Sequence, residues 1–117
     1  MTADRDLASM HDMLDYACRA QSLVEGKTQA DIENDWVANL ALIRLLEVIG
    51  EAASRVSPKT RRRLTSIPWG DVIGMRNRLI HGYDLVDQRR LWDTVTNDVP
   101  MLIEELRQAL PAEEQQG

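Results

Sequence analysis

The chain has 117 residues, 44% of them hydrophobic and 28% charged, with a formal net charge of −5 at pH 7, which is enough for one domain with a real core and too little for two. A lone Cys18 excludes an internal disulfide and matches no metal-site spacing, the N-terminus carries charges where a signal peptide needs an apolar run, and Arg44 and Glu47 interrupt the most hydrophobic segment, well short of the ~18 apolar residues of a membrane span. A soluble, cytoplasmic protein is expected, and the acidic balance argues against indiscriminate nucleic-acid binding, which draws on a basic surface.

Leu7, Met10, Leu14, Ala17, Gln21 and Val24 recur at three- and four-residue steps, predicting an amphipathic helix over about residues 5 to 24, closed by Gly26. Thr28 followed by Asp31 resembles a capping box with Asp in place of Glu; it opens a long helix that runs to about Val56, where Ser57-Pro58 ends it. Between Trp36 and Ile49 only Arg44 and Glu47 are charged, so apolar residues wrap more of the circumference than one core-facing stripe needs. A second buried face is implied, most simply a symmetric dimer in which this helix packs against its own bundle and against the partner.

Pro58 and the basic segment to Ser66 predict a short helix, Ile67-Pro68-Trp69-Gly70 a turn, and Asp71 the cap of a helix from about Val72 to Ile80, with Gly82 placed to end it. Asp87 then caps a final helix whose stripe is Leu91, Val95, Val99, Leu102, Leu106 and Leu110, bent at Pro100. No segment shows strand-like alternation or repeats. The fold class is all-α, an up-and-down bundle of four to five helices forming a homodimer, with residues 1–110 as the single domain and 111–117 as a polar, frayed tail.

Charge is unevenly spread. Residues 55–90 hold nine Lys or Arg against three Asp or Glu, while the segments on either side are acidic. Arg61, Arg62 and Arg63 read equally as a solvated helix face or as a funnel for phosphates. Arg44, Glu47, Glu51 and Arg55 fall at steps of three and four with alternating signs, the pattern of a structural salt-bridge stripe. Trp36, Trp69 and Trp92 read as core or interface anchors, Met75 as core, and Arg78 as a surface salt-bridge residue.

Within the basic third lies Met75-Arg76-Asn77-Arg78-Leu79-Ile80-His81-Gly82-Tyr83. Arginine is a permanent cation whose planar fork suits phosphate, and histidine gives and takes protons near neutral pH. With 12 Arg, two His and two Tyr in the chain, the Arg-to-His spacing alone is weak evidence, but the full Arg, His, Tyr pattern is expected by chance only roughly 0.004 times. On a continuous helix Asn77 and His81, four apart, share a face, whereas Arg76 and His81 stand about 140° apart. A helix ending at His81 lets Asn77 orient the imidazole, which would also meet unsatisfied carbonyls of the last turn. Arg76 then curls round or reaches a site completed by a second subunit. On spacing alone, a capping role for His81 outweighs catalysis, and Tyr83 reads as an aromatic packed on the helix end.

The pattern resembles the ribonuclease signature of the HEPN superfamily, Arg, a polar residue, three more residues and His, and the added Tyr83 points to its HepT branch. Glu47-Val48-Ile49-Gly50-Glu51-Ala52-Ala53, Ser57-Pro58, Ile67-Pro68-Trp69 and Leu91-Trp92 are similar to HepT landmarks in the same order, so the resemblance covers roughly residues 7 to 110. It implies an endoribonuclease toxin with Arg76, Asn77 and His81 as the catalytic residues, and it reverses the reading of His81. It further implies cleavage by the RNA's own 2′-hydroxyl, with no metal or other cofactor. The implied partners are RNA, a second copy of the chain, and a cognate MNT-type nucleotidyltransferase antitoxin that transfers AMP to Tyr83; no membrane is involved. The alternative keeps the fold and denies the enzyme: a HEPN module that binds a nucleotide or serves a nucleotidyltransferase as its substrate or specificity subunit.

Overall fold

The computed structural model describes residues 3–81 and 85–111, apart from the side chains of 80, 81 and 85. Helix α1 (Asp4–Val24) buries Met10, Met13, Leu14, Ala17, Ala20 and Val24 along one face. Gly26, at φ +74°, turns the chain in a conformation that side chains with a Cβ rarely adopt. The expected capping box is present: the Thr28 N–H donates to the Asp31 carboxylate at 2.9 Å and the Asp31 N–H to the Thr28 hydroxyl at 3.1 Å.

The helix so capped is short. α2 (Gln29–Asn34) stops at Asp35, whose extended backbone and side chain, accepting from the Ala38 N–H at 3.1 Å, cap a separate helix α3 (Trp36–Ser54). One long helix was expected here. Asp35 instead offers the backbone a side-chain acceptor, which favours a new N-terminus over continuation. Asn39 ties the junction, donating to the Gln88 side chain at 2.7 Å and to the Ile32 carbonyl at 3.4 Å.

Ser57 caps α4 (Pro58–Arg63), with Pro58 in its first turn where a missing N–H costs nothing. The buried Asp6 of α1 accepts from the Ser57 N–H at 3.0 Å, the Ser57 hydroxyl at 2.6 Å and the Thr60 hydroxyl, pinning α4 to the start of α1. The predicted helix over 72–80 is also two pieces, α5 (Trp69–Ile73) and α6 (Met75–Leu79), separated at Gly74. Asp71 lies inside α5 rather than capping it.

The chain leaves α6 after Leu79 and enters a two-residue antiparallel ladder, β1 (Ile80–His81) with β2 (Leu85–Val86), Ile80 opposite Val86 and His81 opposite Leu85. No strand was expected. Gly82, the predicted helix terminator, lies outside the described residues. Asp87 caps α7 (Gln88–Asp93) through the Arg90 N–H at 3.0 Å, as expected. A π-helical turn over Thr94–Asp98 joins it to α8 (Val99–Ala109). Pro100, expected to bend the helix, follows this turn directly. Proline has no N–H and its ring crowds the carbonyl four residues back, and widening the preceding turn relieves both.

α1 packs along α3 and α8, while α5 and α6 lie on α3 and α7 lies on α6. Met10, Met13, Leu42, Leu46, Ile49, Leu91, Val95, Val99 and Leu106 fill the core. Met75 is buried, as expected, and Trp69 is buried with its indole N–H donating to the Leu64 carbonyl at 2.9 Å. Trp92 packs against the core from a half-buried position. Trp36 is no core anchor: it is 73% exposed, beside Val37 and Leu40 at 58% each. Among the described residues no helix is long and apolar enough to cross a membrane.

Candidate functional site

The site begins with a close approach of backbones. A Cβ built on Gly50 would stand 3.0 Å from the Val72 carbonyl oxygen and 3.2 Å from that of Ile73, tight enough that the backbone would have to give by a few tenths of an ångström. Glycine lets α3 lie this near the end of α5 without such a shift. α6 follows after Gly74, so Glu47, one turn before Gly50, comes within reach of Arg76.

Arg76 Nε forms an ion pair with Glu47 Oε2, and Arg44 donates to Glu47 Oε1 and pairs with Glu51 at 3.3 Å. The Arg44 hydrogen bond first, and then Arg76, hold the Glu47 carboxyl below the usual carboxylate range, against the opposing effect of its partial burial. The expected stripe of Arg44, Glu47 and Glu51 is therefore real, and sequence reasoning missed that it binds the motif arginine. Arg55 joins no ion pair among the described residues. Glu47, Gly50, Glu51, Ser54, Arg76 and Asn77 line an open cleft of about 470 Å³. Arg76 keeps half of its side-chain surface exposed, and its two terminal nitrogens have no protein partner among the described residues.

Arg76 and Asn77 thus share one cleft. His81 leaves the helical frame: its backbone is in β1, two residues past the end of α6, so Asn77 and His81 are not four apart on one continuous helix as expected. Two carbonyls of the last turn are already taken. The Asp87 N–H donates to the Leu79 carbonyl at 2.8 Å, and Arg90 reaches that of Arg78 at 3.5 Å. The His81 imidazole and all of Tyr83 lie outside the described residues.

Arg78 points away from this cleft. It pairs with Asp71 at 3.7 Å and borders a more enclosed cavity of about 360 Å³ between α5, α6 and α8. Arg61 is a structural residue, donating to the Val56 carbonyl at 2.9 Å and the Ser54 carbonyl at 3.0 Å and so capping the end of α3. Arg62 and Arg63 are exposed. Among the described residues no group of three or more His, Cys, Asp or Glu could hold a metal ion.

Fold and cleft define an all-α domain that offers a half-exposed arginine on a short helix seated against a longer one. Residues 13–109 match the family model described as Ribonuclease HepT-like, and the chain belongs to that family. It is 38% identical over 98 residues to a candidate ribonuclease HepT of Thermococcus cleftensis, covering 80% of this chain and 89% of the relative. It is 34% identical over 90 residues to a candidate RNase of Caldanaerobacter subterraneus subsp. tengcongensis, covering 77% and 80%. A candidate RNase of Methanocaldococcus jannaschii is 31% identical over 107 residues, covering 91% and 92%. No solved structure matches the chain.

Proposed function

We propose that this protein is an endoribonuclease, the toxin of a toxin–antitoxin pair, that cleaves RNA at a site built from Arg76, Asn77 and His81. One observation carries the reading beyond family membership: in the Glu47 cleft the motif arginine is half exposed and held by its Nε, and its terminal nitrogens have no protein partner among the described residues. In the proposed reaction the 2′-oxygen attacks the adjacent phosphorus and the bond to the 5′-oxygen breaks. His81 takes the 2′-hydroxyl proton and returns one to the leaving oxygen. Arg76 balances the charge of the pentavalent phosphorane, and Asn77 orients a neighbouring group. The products are a 2′,3′-cyclic phosphate and a 5′-hydroxyl, and the scheme draws on no metal.

Trp36, Val37 and Leu40 support a homodimer, since they expose three large apolar side chains at the start of α3 that a second copy would take out of water. Tyr83, two residues after His81, is the proposed acceptor of AMP from a nucleotidyltransferase antitoxin. Its oxygen would attack the α-phosphorus of ATP and release pyrophosphate, placing bulk and negative charge where an RNA phosphate must bind.

The test is cleavage of total RNA by the purified chain beside Arg76→Ala and His81→Ala. Cleavage by wild type and by neither variant is expected. Activity in His81→Ala equal to wild type would overturn the assignment, and a wild type inert without a nucleotidyltransferase and ATP would favour the binding-module alternative. Tyr83→Phe should cleave RNA and escape neutralisation; AMP found on that variant by peptide mass analysis would contradict the role of Tyr83.

A further inference from the structure

A guanidinium has two hydrogen-bonding edges, and a phosphate is best held by two parallel N–H groups. Glu47 occupies the Nε edge of Arg76. The other edge, formed by the two terminal nitrogens, has no protein partner among the described residues.

Glu47 is itself fixed from three directions. It sits in the middle of the 19-residue helix α3, whose distance from α5 is set by the contact of Gly50 with the Val72 and Ile73 carbonyls. Its other oxygen is taken by Arg44, which Glu51 steadies in turn. An arginine side chain carries about 2 kcal/mol of rotamer entropy, and ordering it before substrate arrives removes part of that cost from the transition state.

We propose that Glu47 is a positioning residue for RNA cleavage, holding Arg76 by Nε so that its outer edge meets the scissile phosphate; the inference rests on the function proposed above. It also has a cost in binding. Arg44, Arg76, Glu47 and Glu51 sum to zero charge, so the carboxylate that orders Arg76 also weakens the attraction of the cleft for phosphate. Orientation and attraction therefore respond in opposite directions when Glu47 is changed. An ion pair whose arginine is half exposed contributes little to stability, so a purely structural role would move neither.

The experiment is single-turnover and steady-state cleavage of end-labelled RNA, with thermal melts to confirm folding. Glu47→Ala should lower kcat about 10- to 100-fold, as expected when a group is misplaced by about an ångström, with KM for RNA unchanged or lower. Glu47→Gln, which keeps an acceptor for Nε, should retain most of the rate. Glu47→Asp, which keeps the charge and loses the reach, should not. The proposal is overturned if Glu47→Ala leaves kcat unchanged while Arg76→Ala is inactive, or if Asp restores the rate and Gln does not. Wild-type activity in Arg76→Ala would overturn instead the function on which the proposal rests.

Discussion

Asp6 is 1% exposed and its carboxylate accepts three hydrogen bonds from Ser57 and Thr60. The Ser57 hydroxyl first, then that of Thr60, hold its carboxyl below the ordinary value of 3.8, outweighing the effect of burial. Asp6→Ala would strand a buried hydroxyl and an N–H, so it should cost about 2–3 kcal/mol, measured by urea unfolding at pH 7. Because the folded pKa is depressed, this contribution is complete above 3.8 and fades as the pH falls through the folded value. The gap between wild type and Asp6→Ala should therefore narrow in acid, and a gap that widened there would refute the assignment. Nothing in sequence spacing joins Asp6 to residues 57 and 60. The same holds for Glu47 and Arg76, each legible in its own motif, because their pairing depends on where α3 crosses α5. That Arg76 and Asn77 line one cleft was the legible part of the motif, since the two are neighbours in sequence.

At the scale of elements, helices were legible where caps and stripes agree. α1, the Thr28–Asp31 capping box and the Asp87 cap of α7 form as local chemistry dictates. Breaks were not. Asp35 and Gly74 interrupt stretches whose apolar spacing reads as continuous, because helical periodicity survives a one-residue interruption. The β1–β2 ladder has two residues per strand, too few for alternation to register. Gly50 is the element-level test of the site. Gly50→Ala places a methyl group against two backbone carbonyls and should destabilise the fold by about 1–3 kcal/mol, while separating Glu47 from Arg76 and slowing RNA cleavage. A variant with unchanged melting temperature and rate would show that the close approach does not organise the cleft.

At the scale of the molecule, the apolar excess of α3 was legible, but its use was not. The expected second buried face is an exposed patch in the single chain, with Trp36, Val37 and Leu40 open to water. If a second copy covers it, sedimentation equilibrium should show a dimer for wild type and a monomer for Leu40→Glu, a charge that the interface could not bury unpaired. A monomeric wild type would refute the homodimer. The central claim concerns chemistry, and the ends of the RNA fragments report it most directly. Wild type, incubated with total RNA in excess EDTA, should yield fragments bearing 2′,3′-cyclic phosphate and 5′-hydroxyl termini. Cleavage that stops in EDTA, or fragments carrying 5′-phosphates, would contradict attack by the RNA's own 2′-oxygen at Arg76 and His81.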